Sequence, residues 1–189
     1  MAAAGGGNTG MVTVLGLDAE AVERVCRDAG REGGLLVPAN YNCPGQIAVS
    51  GDLETLKSAT EAFKAAGAKR VLPLNVAAAF HSPAMEGARV GLKAALAETP
   101  IRRPAGRFVN NADAKEMSDP EAIRESLARQ VASPVLWEQS CLRICAWGER
   151  TFYEVGPGKV CAGLMKRICP EAVVRPVGSM ADIAALGDA

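Results

Sequence analysis

Histidine is almost absent from this chain of 189 residues, and His81 is its single example. Aromatic residues make up only 4% of the sequence, the six cysteines form no C-x-x-C pair, and no serine stands in a G-x-S-x-G segment. These absences argue against a zinc site built from cysteines and histidines, and they leave no serine marked as a nucleophile. We therefore expect no bound metal ion and six free thiols in a reducing compartment.

Excess charge and long hydrophobic runs are also missing. Lys plus Arg and Asp plus Glu both number 21, so the formal net charge is zero, which argues against nucleic acid as a partner. Apolar runs such as Val76–Phe80 are far too short to span a membrane. Residues 1–10 lack the charged and apolar segments of a signal peptide, so we expect a flexible leader there and a cytoplasmic protein.

Residues 11–75 alternate between strand and helix patterns in the order β-α-β-β-α-β. Asp18 and Asp52 are predicted helix caps, and Gly30 and Gly67 are predicted stops. The predicted strands are Met11–Leu15, Leu35–Tyr41, Gln46–Ser50 and Arg70–Leu74. This order predicts a ferredoxin-like α+β subdomain, with two helices on one face of a four-stranded sheet.

Residues 76–189 predict a second region, part of a parallel α/β sheet, with only three short strands. The predicted strands are Arg107–Asn110, Thr151–Glu154 and Val173–Arg175. The predicted helices are Ser82–Glu98, Pro120–Arg129, Leu136–Trp147, Val160–Ile168 and Met180–Leu186. The fold class is therefore α/β, with an α+β subdomain followed by an incomplete α/β layer.

His81 is the residue most able to carry acid–base chemistry. It directly precedes Ser82-Pro83, which is typical of a helix start. Because an imidazole exchanges protons near neutral pH, His81 is a candidate general base. The structural alternative is a histidine that merely caps a helix or is satisfied between two regions.

Two further chemistries stay open at this point. Cys43, in a predicted exposed turn, could be the nucleophile of a Cys–His enzyme, although nothing in the sequence marks it as activated. Gly156-Pro157-Gly158-Lys159 follows a strand and precedes a helix, as a phosphate-binding loop would. Its spacing does not fit that motif, and a tight strand-to-helix turn is the alternative.

Five ordered segments together resemble the malonyl-CoA:acyl carrier protein transacylases. They are Asn40–Gly51 (the N-x-N-x-P-x-Q-x-x-x-[SA]-G pattern), Phe80–Met85, Phe108–Asp113, Leu127–Trp137 and Phe152–Val160. The resemblance implies an α/β-hydrolase-like acyltransferase core that carries the ferredoxin-like subdomain as an insertion. Residues 11–75 would then be the insertion and residues 76–189 the C-terminal part of the core.

The resemblance also implies site residues and substrates. His81 would be the general base for a nucleophilic serine, and the main-chain carbonyl of Gln130 would orient its ring. Phe80 would be a bulky substrate-binding residue that favours malonyl over methylmalonyl groups. Malonyl-CoA would be the substrate and acyl carrier protein, through its phosphopantetheine thiol, the partner in fatty acid or polyketide biosynthesis, with no cofactor and no metal.

The chain departs from the family in one respect. The serine elbow, the malonyl-binding arginine and the oxyanion-hole glutamine of the family have no counterpart in this sequence, so we expect a fragment that is inactive alone. If a transit peptide preceded this sequence, the expected location would be a plastid or another organelle and not the cytoplasm. The alternative is a non-catalytic remnant that binds acyl carrier protein, for which Lys69 and Arg70 would supply positive charge.

Overall fold

The computed structural model describes residues 7–31 and 33–186. Most of the predicted leader, residues 1–6, lies outside the described residues, and the first strand already begins at Thr9. The strands of the first region are β1 Thr9–Leu15, β2 Leu36–Cys43, β3 Gln46–Asp52 and β4 Arg70–Pro73. Its helices are α1 Ala19–Gly30 and α2 Leu53–Ala65, so the elements follow the predicted order.

One antiparallel sheet contains all four of these strands, in the spatial order β2-β3-β1-β4. Alternate residues of each strand point to one face, where α1 and α2 bury them. The resulting core includes Val14, Val22, Val49 and Phe63, each fully buried. This core lies entirely between the sheet and the two helices.

Local turn and capping chemistry explains most of the boundaries in this region. The two-residue turn Pro44-Gly45 joins β2 to β3, and Gly45 takes a φ of 68° that glycine tolerates readily. Asp18 caps α1 as predicted, since its carboxylate accepts from the backbone N–H of Ala21 at 2.8 Å. Asp52 also occupies the predicted N-cap position of α2, but its carboxylate makes no capping hydrogen bond and instead accepts from the backbone N–H of Leu35 at 2.6 Å.

The sheet face opposite α1 and α2 is covered by the chain that follows β4. Met11, Ala39 and Ala48 are buried on this face and pack against the half-buried Phe80. Ser50 is a fully buried polar residue on the same face, and its hydroxyl donates to the carbonyl of Phe80. The covering segment leads directly into His81, so this face of the sheet supports the backbone that carries His81.

The second region is rich in helices and has short strands. A 3₁₀ turn, Pro83–Met85, leads into α3 Glu86–Glu98, and the later helices are α4 Pro120–Gln130, α5 Trp137–Cys145, α6 Val160–Ile168 and α7 Met180–Leu186. Its strands are β5 Phe108–Val109, β6 Glu116–Met117, β7 Thr151–Val155 and β8 Val173–Val177. All five predicted helices are present within a few residues of their predicted bounds.

The strand pairing of this region differs from the prediction. β7 and β8 pair in parallel, as expected of an α/β layer, but β5 forms a separate antiparallel pair with β6. β6 escaped prediction because two residues, Glu116 and Met117, are too short to show an alternating pattern. Within the described residues, therefore, β5 belongs to a small hairpin and not to the parallel layer.

Hydrogen bonds from the turn before α5 and from α6 help to hold the second region against the first. Val135 makes a parallel bridge with Asn40 at the edge strand β2, with Tyr41 donating its backbone N–H to Val135 and Val135 donating to Ala39. From α6, the guanidinium of Arg167 donates to the backbone carbonyl of Pro44 and to the side chain of Gln46. No helix among the described residues is both long and apolar enough to cross a membrane.

Candidate functional site

His81 occupies an unusual backbone position between the sheet and the 3₁₀ turn. Its φ is 56°, in the left-handed region that residues other than glycine enter uncommonly. Ser82 then starts the turn, because its hydroxyl accepts from the backbone N–H of Ala84 at 3.3 Å and donates to the carbonyl of Ala79 at 2.6 Å. The predicted helix start after His81 is thus present.

The ring of His81 meets the main chain of Gln130. Nδ1 of His81 lies 3.0 Å from the carbonyl oxygen of Gln130, at the end of α4. A carbonyl only accepts hydrogen bonds, so Nδ1 must carry the proton of the neutral ring and Nε2 must carry the lone pair. The two residues predicted from the sequence are therefore brought together, with Nε2 left to accept a proton.

The side chain of Gln130 fixes the carbonyl that meets His81. Its Nε2 donates to the backbone carbonyls of Ser133 and Pro134, each at 3.1 Å. These two hydrogen bonds close the turn after α4, just before Val135 pairs with the edge of the sheet. The position of the Gln130 carbonyl is therefore tied to the same sheet that supports His81.

A groove of about 570 Å³ runs past His81 along the edge of the sheet. It is lined on one side by His81, Pro83 and Pro134 and on the other by Tyr41, Glu23 and Arg27. The hydroxyl of Tyr41 donates to the carboxylate of Glu23 at 2.7 Å. Burial and then this hydrogen bond raise the pKa of Tyr41, which keeps its hydroxyl neutral.

Sequence reasoning missed Glu23 and Tyr41 as residues of this groove. Tyr41 lies inside one of the five motif segments, which was the only signal that could have marked it. Glu23 carried no signal, because an acidic residue on the exposed side of a helix is ordinary. Only the fold shows that α1 and the edge strand β2 share one groove with His81.

Phe80, Lys69 and Arg70 occupy different surroundings. Phe80 is half-buried against the sheet face, beside His81 in sequence. Lys69 and Arg70 are exposed at the start of β4, where Arg70 is opposite Leu15 in the sheet. No described hydrogen bond joins either basic residue to His81, so they form a separate surface at the end of the sheet.

The Cys–His alternative was wrong. Cys43 is fully buried, not exposed in a turn, and it packs among the buried residues Cys141, Cys145, Met165, Ile168 and Cys169. Burial is the main cause that raises the pKa of the Cys43 thiol, so the thiol stays protonated. Its Sγ also lies 3.8 Å from Oε1 of Gln46, and Arg167 is a second polar neighbour whose charge partly opposes the raised pKa.

The phosphate-loop alternative is also overturned, because the chain fills that position with its own carboxylate. Glu154, in β7, accepts from the backbone N–H groups of Cys161 and Ala162 at the start of α6, both at 2.8 Å. These are the donors that a phosphate at this helix terminus would need. The hydrogen bond from Ala162 is the largest of the causes that hold the pKa of Glu154 below its usual range.

No group of three or more His, Cys, Asp or Glu residues within the described ranges is placed to hold a metal ion. In the same part of the chain, no hydroxyl or thiol is hydrogen-bonded to Nε2 of His81; the neighbouring Ser82 hydroxyl is engaged with Ala79 and Ala84. The site therefore presents an imidazole whose ring is oriented through Nδ1 and whose Nε2 has no described partner.

Comparison with known proteins assigns this arrangement to a class. Residues 1–181 match the family model described as the acyl transferase domain, so the chain belongs to the acyl transferase family. Over 162 residues it is 43% identical to a malonyl CoA-acyl carrier protein transacylase of Salmonella typhimurium. The aligned residues cover 86% of this chain and 52% of that protein. The chain thus spans about half the length of this relative.

Solved structures give the same family. An acyl-carrier-protein S-malonyltransferase of Burkholderia pseudomallei superposes with a TM-score of 0.91 at 38% identity, covering 97% of this chain and 59% of that one. A malonyl-transacylase in complex with its type II polyketide synthase acyl-carrier protein also has a TM-score of 0.91, at 37% identity and the same coverage. The mixed α/β architecture is therefore that of the malonyl transacylases.

Proposed function

We propose that this chain carries the general base of an [acyl-carrier-protein] S-malonyltransferase, which moves malonyl from malonyl-CoA to the phosphopantetheine thiol of acyl carrier protein. The observation that carries the proposal is the hydrogen bond between Nδ1 of His81 and the Gln130 carbonyl, within a chain of the acyl transferase family. It leaves Nε2 as a proton acceptor, as a base beside a nucleophile requires.

In the proposed reaction, Nε2 of His81 takes the proton of a serine hydroxyl as its oxygen attacks the malonyl thioester. The carbon–sulfur bond breaks, and the protonated imidazole returns its proton to the leaving thiolate of coenzyme A. In the second half-reaction, His81 deprotonates the carrier-protein thiol, which attacks the serine ester. The serine oxygen leaves and recovers its proton, so the enzyme ends as it began.

We propose that the serine belongs to the part of the family fold that this chain does not match. The support is twofold: no described hydroxyl contacts Nε2 of His81, and the chain covers 52% of the Salmonella relative. On this proposal the chain alone forms no serine ester and transfers no malonyl. The ester would form only when the complementary part of the fold supplies the hydroxyl.

The fold assignments inferred from the sequence enter here as proposals. The spatial order β2-β3-β1-β4, with α1 and α2 on one face, supports a ferredoxin-like subdomain over residues 11–75. The parallel pair β7 and β8 supports an α/β-hydrolase-like core over residues 76–189. The cytoplasm, expected from the sequence, remains the proposed location.

We further propose that Phe80 limits the size of the acyl group. Its ring is packed against Met11, Ala39 and Ala48, so it cannot move freely away from His81. A methyl group on the malonyl carbon would have to fit beside this ring. Because one methyl group is worth only about 1–3 kcal/mol in a pocket, we expect a preference for malonyl and not an absolute exclusion of methylmalonyl.

Lys69 and Arg70 are proposed to attract the carrier protein. Both are exposed, and Arg70 is opposite Leu15 at one end of the sheet. The next residue, Gly16, donates its backbone N–H to the carbonyl of Gly45 at 2.8 Å, so the turn bonded by Arg167 lies at the same end. Three cationic side chains therefore share one end of the molecule. An acidic partner would be steered to this end, with an affinity that falls as salt rises.

The experiment is a malonyl-transfer assay with radiolabelled malonyl-CoA and holo acyl carrier protein. The chain is tested alone and then with a separately produced segment containing the part of the Salmonella relative that it does not match. We expect transfer only in the combined sample, reduced by about 10²-fold or more by His81→Ala. Equal transfer by the chain alone, with and without His81→Ala, would overturn the proposal.

A titration with carrier protein separates binding from catalysis. We expect binding at low salt that Lys69→Ala and Arg70→Ala weaken and that Lys57→Ala, an exposed lysine on α2, leaves unchanged. Binding without transfer in the combined sample would favour the carrier-binding remnant instead. No binding at low salt would remove Lys69 and Arg70 from the proposal.

A further inference from the structure

Ser50 is a fully buried polar residue on the sheet face that packs against Phe80. It lies on β3 between Met11 of β1 and Val37 of β2, with no exposed surface. A buried hydroxyl without a partner is costly, and Ser50 satisfies this need by donating to the carbonyl oxygen of Phe80. This hydrogen bond crosses from the sheet to the segment that carries His81.

The carbonyl that Ser50 holds belongs to the peptide joining Phe80 to His81. Rotation of that peptide changes the φ of His81, because the peptide nitrogen is one end of the bond about which φ is measured. At a φ of 56°, His81 occupies a region that only a surrounding structure can impose on such a residue. The Ser50 hydroxyl fixes the peptide in the orientation that this φ requires.

The other side-chain hydrogen bonds to the residues around His81 hold a different peptide. Ser82 donates to the carbonyl of Ala79, one peptide earlier, and Thr9 accepts from the backbone N–H of Ala79 at 3.2 Å. Neither bond holds the peptide directly before His81. Ser50 is therefore the described side chain that acts on the orientation of the His81 backbone itself.

We propose that Ser50 is a positioning residue for His81, keeping its ring in the single tautomer that leaves Nε2 free to accept a proton. The proposal rests on the proposed function for its catalytic meaning but not for its physical content. Without the hydroxyl, the peptide before His81 rotates, Nδ1 moves from the Gln130 carbonyl, and both ring nitrogens compete for the proton.

The test uses nuclear magnetic resonance of the imidazole, which is simple because His81 is the only histidine of the chain. The protein is purified without a histidine tag, and the two ring nitrogens are observed at a pH where the ring is neutral. We expect the unmodified chain to show the Nδ1–H tautomer, with widely separated nitrogen shifts. Ser50→Ala should populate both tautomers and bring the two shifts closer together.

Two further variants make the result specific. Ser140→Ala removes another buried serine hydroxyl, one that donates to the carbonyl of Leu136 at the start of α5, and should leave the His81 signals unchanged. Ser50→Thr keeps a donor on the strand and should restore the single tautomer. If Ser50→Ala does not fold, Ser50→Cys decides alone, since it preserves the volume and weakens the donor.

An unchanged tautomer in a folded Ser50→Ala or Ser50→Cys chain would overturn the proposal, and so would an equal change in Ser140→Ala. The measurement needs no substrate, so a failure of malonyl transfer would not affect it. In the combined transfer assay, a positioning role predicts that Ser50→Ala lowers kcat with little change in the KM for malonyl-CoA.

Discussion

Residues 9–73 and residues 83–186 contain similar elements but bury them to different extents. In the first region, four strands share one sheet and two helices cover one face, so its core is closed. In the second, the described strands form only two pairs, and α3 contains no buried residue. The comparison shows that a regular succession of helices and strands does not by itself make a closed core.

The surfaces of the two regions reflect this contrast. Large apolar side chains of the second region are strongly exposed, for example Val90 at 68% and Val155 at 81%. Its main buried cluster is completed by Cys43, which belongs to β2 of the first region. The second region therefore owes part of its order to contacts with the first, and the first does not depend on it to the same degree.

The largest effect that would test this asymmetry comes from the core of the first region. Phe63→Ala removes a fully buried ring from α2 and should lower the free energy of unfolding by about 3–5 kcal/mol. If the second region depends on the first, hydrogen exchange should show reduced protection in both. Leu53→Ala, at an exposed position of the same helix, serves as the control and should cost less than about 0.5 kcal/mol.

A smaller effect is expected from the buried cluster of the second region. Ile168→Ala removes a buried side chain of α6 and should cost about 2 kcal/mol or more. Hydrogen exchange should increase in α5 and α6 while the amides of β1 and β3 keep their protection. Equal loss of protection in β1 and β3 would show that the two regions unfold as one unit and would end the comparison.

The contact between the regions should matter less than either core. Arg167→Ala removes the donors to Pro44 and Gln46 and should cost about 1 kcal/mol. We expect faster amide exchange around the turn at Gly45, measured by mass spectrometry. Lys166→Ala removes a neighbouring exposed cation and should leave that exchange unchanged.

The smallest effect is a dependence on pH within the second region. Backbone N–H groups hold the pKa of Glu154 below its unfolded value. Its carboxylate therefore stabilises the fold at pH values above the ordinary pKa of glutamate. That stabilisation is lost as pH falls from about 4 through the lowered pKa. Unfolding of Glu154→Gln, compared with the unmodified chain, should lack this part of the acid dependence; identical profiles would contradict it.

The sequence predicted the elements well, because their signals are local. Asp18 caps its helix, Gly45 closes its hairpin, and the helices of the second region end where their periodicity ends. The two residues of β6 were missed because a strand needs several alternating residues to be visible. Asp52 stands at the predicted start of α2, but its carboxylate bonds the backbone N–H of Leu35, beside the neighbouring strand, and no local signal indicates that partner.

The site could be predicted only in part. Motifs identified His81 and Gln130, yet nothing local indicated that His81 takes a left-handed φ or that Ser50 lies beneath it. Cys43 was expected to be exposed because it was placed within a turn, but it ends β2 and is buried by α5 and α6. These features depend on residues far apart in sequence, which periodicity and capping rules do not describe.

The contact of Arg167 with Gln46 has a consequence for how the chain folds. The two residues are separated by 121 positions, whereas His81 and Gln130 are 49 apart and the strands of the first sheet are joined by short connections. Closing such a long loop costs conformational entropy, and the contact that offsets this cost forms only after the loop has closed. Folding should therefore begin in the sheet of the first region, and the imidazole of His81 should be oriented only when the second region docks on it.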